Sequence, residues 1–362
     1  MNKQAAAEKC FLEYFTKQAN KRKISLDEAK RYINNISFTT ALEELRDCDV
    51  VIEAVFEQME VKKKVFASLD NIVKPHAVLA TNTSSLDIDQ IAEQTRHPER
   101  VIGMHFFSPA PVMRLLEVVR AKKTADNVLL QVLNFAKSIK KLPVVVKVCP
   151  GFVGNRMVIR YFKQVEYLLL RGVMPTQIDA ALQGFGFAMG PCAMADMSGL
   201  DISVDMQTGP SLAQQMVANN RLGQKNLSGF YDYKPKDTTP MVSEEAIQIA
   251  KDYACSLGIK PRQISDEEII HRCVLSLVDE AVAIVAEGVV ERAGNIDVVY
   301  VYGYGFPAYR GGPLFYADQF GLSNVCRLIK QYKKEDDADW LMHPLLSECM
   351  RAKKPISQYK RG

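Results

Sequence analysis

Before Gly103 the chain contains no glycine, although it carries 20 in all. A glycine-rich turn between a strand and a helix, the device that lets backbone amides approach a pyrophosphate, is therefore missing from that stretch. No apolar run approaches the ~18 residues that a membrane-spanning helix needs, and Met1-Asn2-Lys3-Gln4 leads into a polar helical pattern, unlike an apolar signal segment. The eight cysteines, at 10, 48, 149, 192, 255, 273, 326 and 349, form no CxxC pair. Such spacing argues against zinc sites and a small disulfide scaffold, and fits a reducing compartment. A dominant charge of one sign is lacking too. The net charge is +4, and short basic clusters such as Lys62-Lys63-Lys64 and Lys140-Lys141 read as solvated faces, so no nucleic-acid footprint is expected.

What is present, 362 residues with 48% hydrophobic and 24% charged, suits a mixed globular protein of two or three domains. Phe11, Leu12 and Phe15, then Leu26, Ala29 and Tyr32, recur at helical spacing and predict a helical hairpin over residues 3–34. Short apolar runs follow at Val50-Val51-Ile52, Ala77 to Ala80, Val101-Ile102, Leu115 to Val119 and Val144 to Val146. Near-continuous runs of this kind suit a parallel sheet buried on both faces. After Cys149-Pro150-Gly151 the pattern becomes helical and repeats itself. Arg156 to Val173 aligns with Arg272 to Val289, Ile178-Asp179 with Ile296-Asp297, and Gly190-Pro191 and Asp196 with Gly312-Pro313 and Asp318. A polar linker is expected around Asp232 to Pro240. The glycine clusters Gly184-Phe185-Gly186 and Gly303-Tyr304-Gly305 follow helical patterns, so they read as helix ends and turns, not as dinucleotide loops.

Four motifs stand in fixed order between these landmarks: Asn82-Thr83-Ser84-Ser85, His105-Phe106-Phe107-Ser108-Pro109, Leu115-Leu116-Glu117-Val118 and Gly151-Phe152-Val153-Gly154-Asn155-Arg156. Taken singly, each has a plain structural reading. His105 and Glu117 suit a structural histidine and a surface carboxylate, Asn82-Thr83-Ser84 a turn, and Asn155 a helix cap. Pro109 and Pro111 turn the chain back between His105 and Glu117, which allows the two side chains to face each other.

As a set, the motifs resemble the 3-hydroxyacyl-CoA dehydrogenase family, most closely those members that carry the dehydrogenase as half of a peroxisomal multifunctional β-oxidation enzyme. The resemblance implies an α/β plus all-α chain, in which an N-terminally truncated Rossmann-like parallel sheet precedes two repeated helical C-terminal domains. The expected boundaries are 1–149 for the incomplete NAD-binding domain, 150–236 for the first helical domain, 237–264 for a linker and 265–362 for the second helical domain. It also implies NAD-dependent oxidation of L-3-hydroxyacyl-CoA to 3-oxoacyl-CoA. His105 would be the base that takes the hydroxyl proton, and Glu117 would orient it and stabilise the imidazolium. Ser84 and Asn155 would bond the substrate's oxygens. Ala54, Glu57, Lys62, Asn82, Ser84 and Ser108 would lie along the cofactor, at the strand ends where doubly wound sheets bind nucleotides. Lys17 matches a family lysine that meets the CoA phosphates, with Cys10 where relatives carry serine.

Against the family, the chain starts after the second strand, so the glycine-rich loop has no counterpart here. Two expectations follow: a short third-strand candidate, Ile36 to Thr40, without its partners, and an open edge on the strand Val50 to Val55. Weak or absent NAD binding and a marginally stable 1–149 are expected in turn. The alternative to an enzyme is then a non-catalytic relative that binds acyl-CoA or acts as an interaction scaffold. Single-copy relatives dimerise through the helical domain, so a covalent second copy implies a monomer. Family resemblance suggests a peroxisomal location, whereas the C-terminus reads Tyr359-Lys360-Arg361-Gly362 and not the Ser-Lys-Leu address, which leaves a cytoplasmic or mitochondrial location as the alternative.

Overall fold

The computed structural model describes residues 3–202, 209–336 and 339–360. Helices α1 (Lys3–Asn20) and α2 (Leu26–Asn34) form the expected hairpin. Helix α2 begins on a capping box: Ser25 Oγ accepts from Glu28 N at 3.1 Å while Glu28 Oε2 accepts from Ser25 N at 2.9 Å. The Phe15 and Tyr32 rings, 5.6 Å apart, close the hairpin.

Ile36 to Thr40 forms no strand. The sheet starts at β1 (Val50–Glu53) and continues through α3 (Met59–Ile72), β2 (Val78–Thr81), α4 (Ile88–Ala92), β3 (Val101–Phe106), β4 (Leu115–Arg120), α5 (Asp126–Ser138) and β5 (Leu142–Lys147). Strand order follows the sequence, and β1 has no partner on its outer edge among the described residues. One face is covered by Phe66, Leu69, Ile88 and Ile91, the other by Val128, Val132 and Ala136 at the i, i+4, i+8 positions of α5. Gly103 is required by this packing, since a Cβ there would lie 2.4 Å from Ile88 Cδ1 and 2.7 Å from Val119 Cβ.

The sheet corrects one expectation. Its pairs are parallel except β3 with β4, which run antiparallel. A parallel connection needs roughly a dozen or more residues to cross the sheet. The loop from Phe107 to Arg114 is too short for that, so Leu115 to Val119 returns as the second arm of a hairpin.

The helical region contains α6 (Gly154–Leu170), α7 (Pro175–Phe185), α8 (Pro191–Ser198), α9 (Leu212–Ala218), a two-stranded hairpin β6 (Tyr231–Lys234) and β7 (Asp237–Val242), and α10 (Glu244–Ser256). It continues with α11 (Asp266–Glu287), α12 (Gly294–Gly303), α13 (Pro313–Phe320), α14 (Leu322–Glu335) and α15 (Pro344–Ala352). The stretch expected to be a linker is thus folded. Ala246, Ala250 and Ala254 make a buried stripe along α10, and Ser243 Oγ caps its first turn through Ala246 N. Helix α11 is the axis of the region. Cys273 to Val285 is buried throughout, and the helix packs along α6 of the first copy and against α13, α14 and α15 of its own. The second copy also reaches the sheet: α12 lies against β4 and β5, and Val289 O accepts from Lys147 N at 2.8 Å. Among the described residues no helix is long and apolar enough to cross a membrane.

Candidate active site

The antiparallel pairing of β3 with β4 sets His105 directly opposite Glu117. Opposed residues of such a pair share a face, with Cβ atoms ~5 Å apart, and the side chains meet: His105 Nδ1 and Glu117 Oε2 are 2.8 Å apart. Glu117 is fully buried and His105 is 7% exposed. The other carboxylate oxygen, Oε1, accepts from Val153 N at 3.2 Å and Gly154 N at 3.0 Å, the first amides of α6. A buried carboxylate is costly unless its lone pairs are taken. Here one oxygen is held by the helix N-terminus, whose dipole favours negative charge, and the other faces the imidazole. Gly151 and Phe152 precede α6 with φ of 72° and 49°, and this pair of left-handed residues turns the amides onto Glu117. Phe152 and Phe107 flank the imidazole, at ring-centroid distances of 6.0 and 4.5 Å.

The same turn delivers Asn155. Its Nδ2 donates to the Ser84 carbonyl at 3.1 Å, which joins the first turn of α6 to the loop after β2. Asn155 therefore does more than cap a helix. Ser84 is held from its other side by Glu57, whose Oε1 accepts from Ser84 N at 2.8 Å, Ser84 Oγ at 3.3 Å and Thr83 Oγ1 at 2.6 Å. Burial pushes the Glu57 carboxyl upward, yet the hydrogen bonds from Thr83 and Ser84 and the Lys62 ammonium outweigh it, and the group is held below the usual carboxylate range. Lys62 is 1% exposed, with Nζ 2.8 Å from Glu53 Oε1 and 3.2 Å from Glu57 Oε2. Lys62, expected to lie along a cofactor, stands directly behind Glu57, which is the more exposed member of the pair.

Ala54 and Glu57 follow β1 and are exposed at its carboxyl end, and Ser108 is exposed beyond β3. Asn82 Oδ1 accepts from Phe106 N at 2.8 Å, pinning the end of β2 to the end of β3. Glu57 thus presents a carboxylate acceptor, and Ser84 and Ser108 hydroxyls, near the carboxyl ends of the strands, groups of the kind that hydrogen-bond the ribose and carboxamide of a nicotinamide nucleotide. Lys17 is not part of this group. It is exposed on α1 in a shallow depression formed with Leu12, Glu13, Thr16, Asn20 and Lys21.

A cleft of about 1060 Å³ opens between the sheet and α6, lined by Glu57, Ser84, Gly151, Asn155, Arg156 and Arg160 among others, and its lining stops short of His105. The cations on its α6 wall are clamped from the second copy. Arg156 meets Glu280 and Glu287, each at 2.5 Å, and Arg160 meets Glu280 at 2.8 Å. Beside them, burial raises the Cys149 thiol to about 11, which leaves it an unreactive neighbour.

Two features went unread in the sequence. Glu280 and Glu287 stand more than a hundred residues from the arginines they hold, and no local pattern links them. Tyr304, classed with a structural glycine cluster, donates its hydroxyl to Asn155 Oδ1 at 2.8 Å. A signal for it existed: Gly303-Tyr304-Gly305 aligns with Gly184-Phe185-Gly186, and only the second copy carries the hydroxyl.

Residues 2–149 match the family described as "3-hydroxyacyl-CoA dehydrogenase, NAD binding domain", and residues 151–233 and 269–362 match "3-hydroxyacyl-CoA dehydrogenase, C-terminal domain". The chain is 41% identical over 345 residues to the peroxisomal bifunctional enzyme of Cavia porcellus, covering 89% of this chain and 47% of that one. It is 41% identical over 321 residues to the Homo sapiens protein of the same name, covering 82% and 44%. It thus spans less than half the length of these relatives. Among solved structures, 3-hydroxybutyryl-CoA dehydrogenase from Escherichia coli K12 overlays with a TM-score of 0.82 at 26% identity, over 96% of this chain and 91% of that one. The dehydrogenase part of multifunctional enzyme 1 from C. elegans overlays with a TM-score of 0.67 at 30% identity, over 95% and 81%. Both halves of the chain, in sequence and in fold, lead to one conclusion: it belongs to the 3-hydroxyacyl-CoA dehydrogenase family.

Proposed function

We propose that this chain is an NAD-dependent L-3-hydroxyacyl-CoA dehydrogenase of fatty acid β-oxidation. The observation that carries the reading is the buried His105–Glu117 pair at 2.8 Å, with the second Glu117 oxygen already committed to backbone amides. Glu117 accepts a hydrogen bond from the Nδ1–H, fixes the tautomer that leaves Nε2 free to take a proton, and offsets the positive charge formed on the ring. His105 then removes the O–H proton of the 3-hydroxyl group. A bound NAD would supply the acceptor for the C3 hydride, so that loss of this hydride and of the hydroxyl proton gives the 3-oxo compound. Ser84 and Asn155 hold the substrate's oxygens at the mouth of the cleft. Ala54, Glu57, Asn82, Ser84 and Ser108 line the cofactor crevice, and Lys62 acts through Glu57 by neutralising it from behind.

Acyl-CoA is the substrate, seated in the cleft between the sheet and α6. A monomer is supported by α11, which covers α6 within one chain. The names of the bifunctional relatives favour a peroxisomal location, to be tested by imaging a fluorescently tagged chain. Activity is tested by following NADH oxidation with acetoacetyl-CoA, and NADH affinity by calorimetric titration. Turnover that falls on the order of 10² to 10⁴-fold in His105→Gln is expected. Absence of turnover in the parent chain despite saturable NADH and acetoacetyl-CoA binding would overturn the reading in favour of a binding protein. Light scattering that showed a stable dimer would overturn the monomer.

A further inference from the structure

An asparagine amide is nearly symmetric in shape, so only its hydrogen-bond partners decide which end points where. At Asn155 the choice is forced from both sides. The Ser84 carbonyl, 3.1 Å away, is an acceptor and selects the NH2 end. The Tyr304 hydroxyl, 2.8 Å from Oδ1, then donates to the carbonyl end. An amide nitrogen carries two N–H groups and Ser84 takes one. The other remains for the cleft that Ser84, Gly151 and Asn155 line.

Tyr304 is itself firmly placed. Its ring stacks on Tyr300 with centroids 4.9 Å apart at 17°, and the Tyr300 hydroxyl meets Gly154 O at 3.3 Å. It also meets the edge of Phe107 at 5.6 Å, and Phe107 in turn lies against the His105 imidazole at 4.5 Å. Gly154 makes room for this approach, since a Cβ there would stand 2.5 Å from the Tyr304 ring. Burial drives the Tyr304 hydroxyl well above its ordinary value, so it keeps its proton and stays a donor throughout the working pH range.

We infer that Tyr304 is a positioning residue: by donating to Asn155 Oδ1 it fixes the amide so that its free N–H faces the substrate cleft, which gives the second helical copy a part in orienting the substrate's oxygens as well as in lining the cleft. The inference rests on the reading of Asn155 as a substrate-oxygen contact. A carbonyl end turned into the cleft would repel the substrate's oxygens. The orientation therefore favours binding of a substrate carbonyl or hydroxyl oxygen as an acceptor, and most of all an oxygen that gains negative charge during the reaction.

Tyr304→Phe in the full chain removes the hydroxyl and keeps the ring. The direct readout is the side-chain NH2 resonance pair of Asn155 in asparagine-labelled protein, assigned by its loss in Asn155→Ala. The expected result is a displaced or exchange-broadened pair in Tyr304→Phe. The kinetic expectation is a loss of about three- to tenfold in kcat with little change in KM, the size of one neutral hydrogen bond, and no further loss when Tyr304→Phe is added to Asn155→Ala. An unmoved resonance pair, or equal losses with and without Asn155, would overturn the inference. A displaced pair in a chain without turnover would leave the amide orientation standing and sink the proposed activity instead.

Discussion

The two helical copies share their structural devices and divide their chemistry. In the first, Asp179 accepts from the Cys192 and Ala193 amides at 2.8 and 3.0 Å; in the second, Asp297 accepts from Leu314 and Phe315 at 2.8 and 3.2 Å. Each carboxylate thereby caps the next helix across a glycine that has no space for a Cβ, Gly190 against Asp179 and Gly312 against Asp297. Asp196 and Asp318 repeat the pattern on downstream loops, through Phe230 and Tyr231 and through Ile356 and Ser357. The long helices then diverge. Where α6 carries Asn155 and Arg156 beside the cleft, α11 carries His271, packed on Phe320 at 5.1 Å, and Arg272, fully buried between the Tyr167 and Tyr332 rings at 4.2 Å each. Duplication preserved what holds a helix in place. The second copy kept the arginine but turned it into a core piece, and it supports the first copy's site with Glu280, Glu287 and Tyr304.

The sharpest test of that division compares histidines. His105→Gln is expected to lower the dehydrogenation rate on the order of 10² to 10⁴-fold. His271→Gln, at the position matching Asn155 in the copy without a cleft, is expected to leave it within about twofold, as for substitutions remote from the chemistry. Glu117→Gln belongs with the large effects: the amide still accepts from Val153 and Gly154 with its oxygen, but presents N–H to His105 and selects the wrong tautomer, worth up to ~10⁴ in a related arrangement. Steady-state rates of the folded variants decide this, and a His271 effect as large as that of His105 would break the comparison.

The arginines sharpen it at the level of stability. Arg272→Met leaves Glu268 and Glu335 to Arg262 and removes a fully buried side chain with both its ring contacts from the core, an expected loss of about 3 kcal/mol. Arg156→Met leaves Glu280 with Arg160, so a loss nearer ~1 kcal/mol is expected. Urea unfolding of the two variants measures both. Equal losses would mean that the cleft arginine is as much a core residue as its duplicate.

How far these relations were legible depended on how local they were. The α1–α2 hairpin, the apolar strands and the internal repeat follow from spacing within a few dozen residues, and His105 and Glu117 stand on the two arms of a single turn with Pro109 and Pro111 between them. The turn at Pro109 and Pro111 was legible, but that it makes β4 the one antiparallel member of an otherwise parallel sheet was not, because an apolar run looks alike in either direction; loop length, not composition, decides it. Residues 237–264 looked like a linker because Asp232 to Pro240 is polar, yet that polarity belongs to an exposed hairpin and the alanine stripe of α10 lies just beyond. Lys62 was read from its place after a strand, where nothing in the sequence tells that Glu53 waits behind it. Tyr304 meets Asn155 across the duplication, and periodicity carries no information about which faces of two copies come together.

The smallest expected effect separates the two capping carboxylates. Asp179 has a third donor, the Tyr231 hydroxyl at 3.0 Å, whereas Asp297 has, among the described residues, its two backbone amides and the nearby charge of Asp318. Burial is the main cause in both and raises both groups, Asp297 from 3.8 to about 7. A folded-state value above the unfolded one means that the native protein binds the extra proton. The stabilisation is therefore fully present below about pH 4 and is lost as pH rises through about 7. Asp297→Asn abolishes that titration. Between pH 5 and pH 8 the stability advantage that the Asp297 proton gives the parent over Asp297→Asn is expected to fall by roughly 2 to 3 kcal/mol, about two pH units at ~1.4 kcal/mol each. Asp179→Asn, with the extra hydroxyl opposing the shift in the parent, is expected to change the pH slope less. Melting temperatures of the three proteins across that interval supply the comparison. Identical slopes for the two variants would show that the copies titrate alike and that the Tyr231 hydroxyl does not distinguish them.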